Sequence, residues 1–279
     1  MVTIGTKAGA GVAEVNGTKL YYELRGSALN PKRVPVLFIA GATGDAGHFD
    51  RVADLLADEF IVLTYDRRGN SRSPRPAGWD STSTDEQADD AAALLKALNL
   101  APAAVFGSSS GAIIALNLAI RHPEAVRGTI LHEPPLMSVL AEPEQTMGYT
   151  RSIVERGMAA GGHRGAVEAF ARFAAGDAAF EAFDPDLKER ILGNGETLFG
   201  VEFGAFEAYH PDDTTLASVK PPVEVMAGAE SAPFFLEAAQ WLARHLNTRL
   251  ITIPGAHTPY HDCPQELADA IRTFLQRVN

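Results

Sequence analysis

A serine at the apex of a tight turn is the first candidate for chemistry in this sequence. Residues 107–111 read Gly-Ser-Ser-Ser-Gly, after a short apolar run and before a long one. This order predicts a strand that turns directly into a helix with Ser109 at the apex, the arrangement called a nucleophile elbow. Side chains at the two flanking glycines would clash, because backbones pass close together there. A serine held in this way presents its hydroxyl to a base, and the helix N-terminus beside it favours negative charge.

A histidine near the end of the chain is the predicted base. A serine hydroxyl needs a base to remove its proton and an acid to orient that base, and on such a turn the chain order is serine, acid, histidine. His257 fits, because it follows the apolar run 250–253 and precedes a helix predicted over 264–277. His261 lies closer to that helix, so we expect a capping or surface residue there. Among the other six histidines, His48 alone is placed to line the pocket entrance, and the rest are expected to be ordinary polar or surface residues.

Two glutamates compete for the position of the acid. Glu133 ends the strand predicted at 128–132, and its carboxylate is expected at the same carboxyl edge of the sheet as Ser109. The Pro-Pro pair that follows stiffens its loop. Glu230 follows the strand predicted at 223–227 in a Gly-Ala-Glu-Ser loop. Because a triad is defined by geometry and not by chain position, the strand end favours Glu133, and Glu230 stays the alternative acid.

Backbone amides are the remaining candidates for the site. A carbonyl under attack develops negative charge, which correctly placed N–H groups stabilise. The amide of Ser110, directly after the apex, is one predicted donor to this oxyanion hole. The amide of Ala42, in the Gly-Ala-Thr-Gly loop at 41–44, is the second. The charged turn at 66–71, Asp-Arg-Arg-Gly-Asn-Ser, is predicted to be structural and to take no part in the chemistry.

Strands and helices alternate along most of the chain, which determines the predicted fold. Asn16 and Gly17 predict a hairpin between β-rich runs at 12–15 and 20–25. A helix is predicted near 83–99. Apolar runs of buried-strand length occupy 36–40, 60–65, 103–106, 128–132, 223–227 and 250–253. The pattern predicts an α/β protein with a mostly parallel eight-stranded sheet and helices on both faces.

The alternation stops between Pro134 and Asp213. This segment, called the insertion below (residues 134–213), reads as several short helices without a convincing strand. Seven of the chain's 14 phenylalanines lie in it: Phe170, Phe173, Phe180, Phe183, Phe199, Phe203 and Phe206. We expect most of them to pack the helices, and some to form an apolar pocket above the serine. The insertion is therefore predicted to be a helical lid (cap) domain on a core domain made of residues 1–133 and 214–279.

Composition excludes several classes of partner. The 279 residues are 46% hydrophobic with a net charge of −11, and the acidic residues are dispersed, which argues against nucleic acid or an anionic membrane. The single cysteine allows no internal disulfide and fits a cytoplasmic location, and the sequence shows no zinc-ligand spacing and no signal peptide. We expect an apolar small-molecule partner and neither metal nor cofactor, and a homodimer is left open.

Taken together, these motifs resemble the α/β-hydrolase superfamily, in its lidded form with a serine nucleophile. The resemblance extends over 12–277 outside the insertion. Among subfamilies, the sequence is similar to the zearalenone lactone hydrolases. They combine a Gly-x-Ser-Ser-Gly elbow, a His-Glu-x-Pro segment and a Pro-Gly-x-His-x-Pro-Tyr loop, which stand here at 107–111, 132–135 and 254–260.

The resemblance implies a function and a set of roles. It implies hydrolysis of a carboxylic ester or lactone of a bulky apolar substrate, a zearalenone-type lactone first, without a cofactor. It assigns the nucleophile to Ser109, the base to His257 and the acid to Glu133, and the oxyanion amides to Ala42 and Ser110. Hydrolysis of a carbon–carbon bond in a diketone uses the same triad, and a hydrolase-fold receptor with little turnover is the alternative from another class.

The sequence departs from this pattern at two places. Many hydrolases of this fold carry an aspartate in a Gly-x-x-Asp motif after the strand at 223–227, where this chain has Ser231. The zearalenone lactone hydrolases place a lid tryptophan against the aromatic lactone, whereas Trp79 and Trp241 both lie outside the insertion. The second departure concerns the substrate more than the triad.

Overall fold

An eight-stranded sheet forms the centre of the computed structural model, which describes residues 7–26 and 34–278. The strands are β1 (Lys7–Val15), β2 (Thr18–Arg25), β3 (Pro35–Ile39), β4 (Ile61–Tyr65), β5 (Ala103–Ser108), β6 (Val126–His132), β7 (Val223–Gly228) and β8 (Leu250–Ile253). Their order across the sheet is β1-β2-β4-β3-β5-β6-β7-β8. The first two strands pair antiparallel and the other six run parallel, which confirms the predicted fold class.

Local signals in the sequence explain where these strands begin and end. Asn16 and Gly17 adopt positive φ values of 45° and 72° and close the predicted hairpin. The predicted strand boundaries agree with the observed ones to within a few residues, apart from β1, which starts well before residue 12.

Helices cover both faces of the sheet. In chain order the α-helices are α1 (Asp50–Leu56), α2 (Thr84–Ala97), α3 (Ser110–Arg121), α4 (Pro143–Ala175), α5 (Asp177–Glu181), α6 (Pro185–Gly193), α7 (Gly195–Thr197), α8 (Phe203–Glu207), α9 (Asp213–Ala217), α10 (Pro233–His245), α11 (Pro259–Asp262) and α12 (Pro264–Val278), of which α4 to α8 belong to the insertion. Successive strand residues point to opposite faces, so Leu37 belongs to the apolar cluster that α2, α3 and α10 cover, and Phe38 belongs to the cluster that α1 and α12 cover. In the part of the chain that the structure describes, no helix combines the length and apolarity needed to cross a membrane.

The insertion is helical throughout its regular structure, and it lies between β6 and β7. Its first α-helix, α4, is 33 residues long, longer than the predicted short helices. Non-helical backbone angles at Gly161 and Gly162 divide it into two segments. A π-helix, Leu198–Glu202, joins α7 to α8. Because the insertion follows β6, it leaves the sheet at the edge where β5 also ends.

Candidate active site

Ser109 lies at the junction of β5 and α3 in strained backbone geometry. Its φ of 56° and ψ of −129° are rare for a residue with a side chain and cost about 1–3 kcal/mol. The Ser109 amide donates to the carbonyl of His132 at 2.8 Å, which ties the turn to the neighbouring strand β6. A Cβ on Gly107 would lie 2.3 Å from the Gly111 oxygen, and a Cβ on Gly111 would lie 2.1 Å from the Ile39 oxygen. The turn therefore requires glycine at both flanking positions, as predicted.

Glu133 and His257 form a buried hydrogen-bonded pair. Glu133 follows β6 with a φ of 47°, and its side chain is completely buried. Its Oε2 lies 2.5 Å from His257 Nδ1. Its Oε1 accepts from the Gly228 amide at 2.7 Å and from the Ser231 hydroxyl at 2.5 Å. A carboxylate at Nδ1 favours the tautomer protonated there, which leaves Nε2 able to accept a proton.

The surroundings of Glu133 keep it ionised. Burial alone raises the pKa of a carboxyl group, but here the hydrogen bonds with His257 and Ser231 outweigh it and lower the pKa to about 2. The neighbouring His132 is also completely buried, and burial lowers its pKa to about 4. At neutral pH the site therefore holds a charged carboxylate beside an uncharged His132.

The structure brings Glu133, and not Glu230, to His257. Glu230 is exposed on the loop after β7, where its amide donates to the Gly255 carbonyl at 3.0 Å. Ser231, the next residue, is buried and donates to Glu133. Sequence reasoning noted Ser231 only as the residue in place of an aspartate and missed this contact. The sequence did carry a signal for this contact, because Ser231 follows β7, which ends at the same edge of the sheet as β6.

His257 is held by an aromatic ring as well as by Glu133. Its imidazole stacks on Phe235 with ring centroids 3.8 Å apart, and the residue is 5% exposed. His261 differs from the surface or capping residue expected there. Its Nε2 lies 3.1 Å from His48 Nδ1, and its ring lies 4.4 Å from that of Phe183. His48 of this pair lines a cavity that Ser109 also lines.

The two predicted oxyanion amides belong to segments that meet at Ser109. A Cβ on Gly41 would lie 2.7 Å from Ser109 Cβ, so the loop at 41–44 runs directly beside the serine. Ser110 is the first residue of α3. Within the described residues, neither the Ala42 amide nor the Ser110 amide donates a hydrogen bond, so both remain available to a ligand.

Two adjoining cavities meet at the serine. Both are lined by Ser109, His257 and Ala42, and their volumes are about 70 and 60 Å³. The first is mainly apolar, and four of the seven phenylalanines of the insertion line it: Phe170, Phe173, Phe203 and Phe206. The second extends toward His48 and Tyr260. The insertion therefore supplies apolar walls above the serine.

The strand order and the strained serine after β5 define the α/β-hydrolase class. Residues 34–160 match a family model described as alpha/beta hydrolase fold. The chain is 33% identical over 274 residues to the uncharacterized hydrolase YraK of Bacillus subtilis (strain 168), with 96% of each chain covered. This protein thus belongs to the α/β-hydrolase family and is a hydrolase of that type.

More distant relatives share the whole length of the fold. The chain is 26% identical over 267 residues to a zearalenone hydrolase of Cladophialophora bantiana, with 91% of each chain covered. The enol-lactonase from Burkholderia xenovorans LB400 superposes with a TM-score of 0.72 at 19% identity, covering 95% of this chain and 100% of that one. At that identity the likeness concerns the fold alone.

Proposed function

We propose that this protein is a serine hydrolase that cleaves a carboxylic ester or lactone of a bulky apolar compound, through a triad of Ser109, His257 and Glu133. The observation that carries the proposal is the buried 2.5 Å contact between Glu133 and His257, whose ring lines the same cavity as Ser109. An ionised carboxylate on one ring nitrogen makes the other nitrogen a base.

The reaction is acyl transfer to water. His257 Nε2 takes the proton of Ser109 Oγ as that oxygen bonds to the substrate carbonyl carbon, and the amides of Ala42 and Ser110 hold the resulting oxyanion. The bond to the alkoxy oxygen then breaks, and His257 gives its proton to that oxygen. Water attacks the acyl-enzyme with His257 again as the base, which releases the carboxylic acid and restores Ser109.

The lining of the cavity supports the proposal of an apolar substrate, and it suits an aromatic one. Three phenylalanines of its walls come from the insertion: Phe170, Phe173 and Phe203. Two more, Phe234 and Phe235, come from the first turn of α10. Aromatic rings bind flat apolar ligands through large contact areas. One relative at 26% identity is a zearalenone hydrolase, which makes a zearalenone-type lactone the first substrate to test. The insertion offers phenylalanine rings in place of a tryptophan for this contact.

The test is incubation of zearalenone with the purified wild-type protein and with Ser109→Ala, followed by liquid chromatography with mass detection. We expect the wild type to convert the lactone into a product heavier by one water, and the variant to leave it unchanged. Turnover that survives in Ser109→Ala would reject the serine mechanism.

Further substrates separate the alternatives if zearalenone is unchanged. Hydrolysis of p-nitrophenyl esters would support esterase activity and exclude zearalenone as a substrate. Cleavage of a diketone into a carboxylic acid and a ketone would identify carbon–carbon bond hydrolysis. Tight binding of an apolar ligand with at most one turnover would favour a receptor.

A further inference from the structure

A buried arginine connects the loop at 41–44 to the insertion. The Arg67 side chain is completely buried, and its Nε donates to the Ala40 carbonyl at 3.1 Å. Its Nη2 donates to the Gly41 carbonyl at 3.0 Å. Nη1 and Nη2 also donate to the two carboxylate oxygens of Glu202, at 2.5 and 3.0 Å. One guanidinium therefore joins the end of β3 to the last residue of the π-helix.

The contact with Gly41 determines where the next amide points. The Gly41 oxygen and the Ala42 nitrogen belong to one planar peptide unit, in which the C=O and N–H bonds point in opposite directions. Holding that oxygen from one side therefore directs the Ala42 N–H toward the other side. The Gly44 amide donates to the same oxygen at 3.0 Å and closes the turn. A cation on the carbonyl also polarises the peptide and strengthens its N–H as a donor.

Glu202 holds the arginine in this position. It is completely buried and also accepts from Asn70 Nδ2 at 3.1 Å and Gln87 Nε2 at 3.2 Å. These donors, together with the arginine, satisfy a carboxylate that has no contact with solvent, which a buried charge requires. Glu202 belongs to the insertion, whereas the side chains that donate to it belong to the core. π-helical turns are often found at functional sites.

We propose that Arg67, anchored by Glu202, is a positioning residue that aims the Ala42 amide at the oxyanion. The proposal rests on the proposed function, since it requires Ala42 to act as an oxyanion donor. It gives the insertion a second role besides forming the pocket walls, because its π-helix sets the geometry of the catalytic loop. It also gives a role to the charged turn at 66–71, which the sequence indicated to be structural only.

The test removes both charges together, because one of them alone would be left buried without a partner. In Arg67→Met/Glu202→Gln, the new amide oxygen still accepts from Asn70 and Gln87. The matched control is Arg68→Met/Asp90→Asn. It removes the neighbouring buried ion pair, in which Arg68 Nη2 lies 2.7 Å from Asp90 Oδ1. Arg68 also donates to the Asn16 carbonyl at 3.2 Å and not to the loop at 41–44.

The readouts separate positioning from folding. Hydrolysis of p-nitrophenyl butyrate gives kcat and KM. Hexylboronic acid, which forms a tetrahedral adduct with a serine, is compared with 1-hexanol, which has the same chain and forms none. Loss of one oxyanion donor typically lowers kcat by about 10²–10³-fold, so for a misaimed donor we expect a loss of about tenfold to hundredfold. We expect an unchanged KM, weaker boronic acid binding and unchanged hexanol binding, with the control variant resembling the wild type.

Two outcomes would overturn the proposal in different ways. If the wild type is active and the folded double variant keeps the kcat and boronic acid affinity of the control, the positioning role is wrong and the proposed function stands. If the wild type neither hydrolyses the ester nor binds the boronic acid, the proposed function fails first. Should the double variant not fold, Arg67→Lys serves instead, because one ammonium cannot serve both carbonyls and the carboxylate as the planar fork does. It should show the same loss of kcat.

Discussion

At the scale of single residues, the position of Glu133 is the most informative feature. Glu133 lies at the end of β6, and Ser231 lies in the loop after β7, the strand paired with it. Because parallel neighbours end at the same edge of the sheet, a carboxylate from either strand can reach a histidine in the loop after β8. Here the carboxylate comes from β6, and the Ser231 hydroxyl and the Gly228 amide from the β7 side hold its second oxygen.

Exchange of the two candidate acids for amides tests this assignment. Glu133→Gln should lower kcat by about 10³–10⁴-fold, because an amide at Nδ1 can hold the histidine in the wrong tautomer. Glu230→Gln should leave kcat unchanged, because that side chain is exposed and the carboxylate at His257 is that of Glu133. Steady-state kinetics on an ester that the wild type hydrolyses, with circular dichroism as the control for folding, measures both. The opposite ranking would show that the acid is Glu230.

At the scale of secondary-structure elements, the close packing of α3 on the sheet positions the serine. The helix begins directly after the apex, and its Gly111 meets the end of β3 with no room for a Cβ. The strain at Ser109 is balanced by this packing and by the hydrogen bond that its amide donates to the His132 carbonyl on β6. The elbow is therefore a property of three packed elements and not of the pentapeptide alone.

Two glycine substitutions should change stability in opposite directions. Gly111→Ala should destabilise the fold by about 1–3 kcal/mol, because the added carbon would overlap the Ile39 oxygen. Gly148→Ala, in the exposed face of α4 where nothing lies within 4 Å of the added carbon, should stabilise it by about 0.5–1 kcal/mol. Urea denaturation gives both values. Equal effects would contradict the packing argument.

At the scale of the whole molecule, uncharged buried histidines make stability depend on pH. Burial lowers the pKa of His48 to about 4, of His132 to about 4 and of His261 to about 2. In the unfolded chain these groups bind a proton near pH 6.5. Between about pH 6.5 and 4 the unfolded state therefore binds more protons than the folded state, and stability falls as pH falls through that window. Glu133 adds a second loss between its unfolded value of 4.5 and about 2.

The histidine contribution can be isolated with one variant. On acidification from pH 7.5 to 5, the wild type should lose about 2 kcal/mol through His132 alone. His132→Asn keeps a polar group facing Ser108. Its loss of stability over the same pH change should be smaller by about 2 kcal/mol. Urea denaturation of both proteins at the two pH values measures the difference. An identical loss in the variant would show that His132 is not the group responsible.

Several features of the protein follow from its sequence alone. The hairpin, the parallel strands, the glycine-flanked serine and the late His257 depend on contacts between near neighbours in the chain, such as turn sterics and strand periodicity. Such contacts are encoded locally. The predicted acid, Glu133, also followed from its place at a strand end, although position alone left Glu230 as the alternative.

Tertiary structure decided what depends on contacts between distant residues. His257 and Glu133 are 124 residues apart in sequence, and Arg67 and Glu202 are 135 apart. No local pattern relates such pairs, because their side chains meet only after the strands have paired and the insertion has packed on the core. The hydrogen bond from Ser231, the pairing of His48 with His261 and the contacts of Arg67 with Glu202 and the loop at 41–44 all belong to this second group.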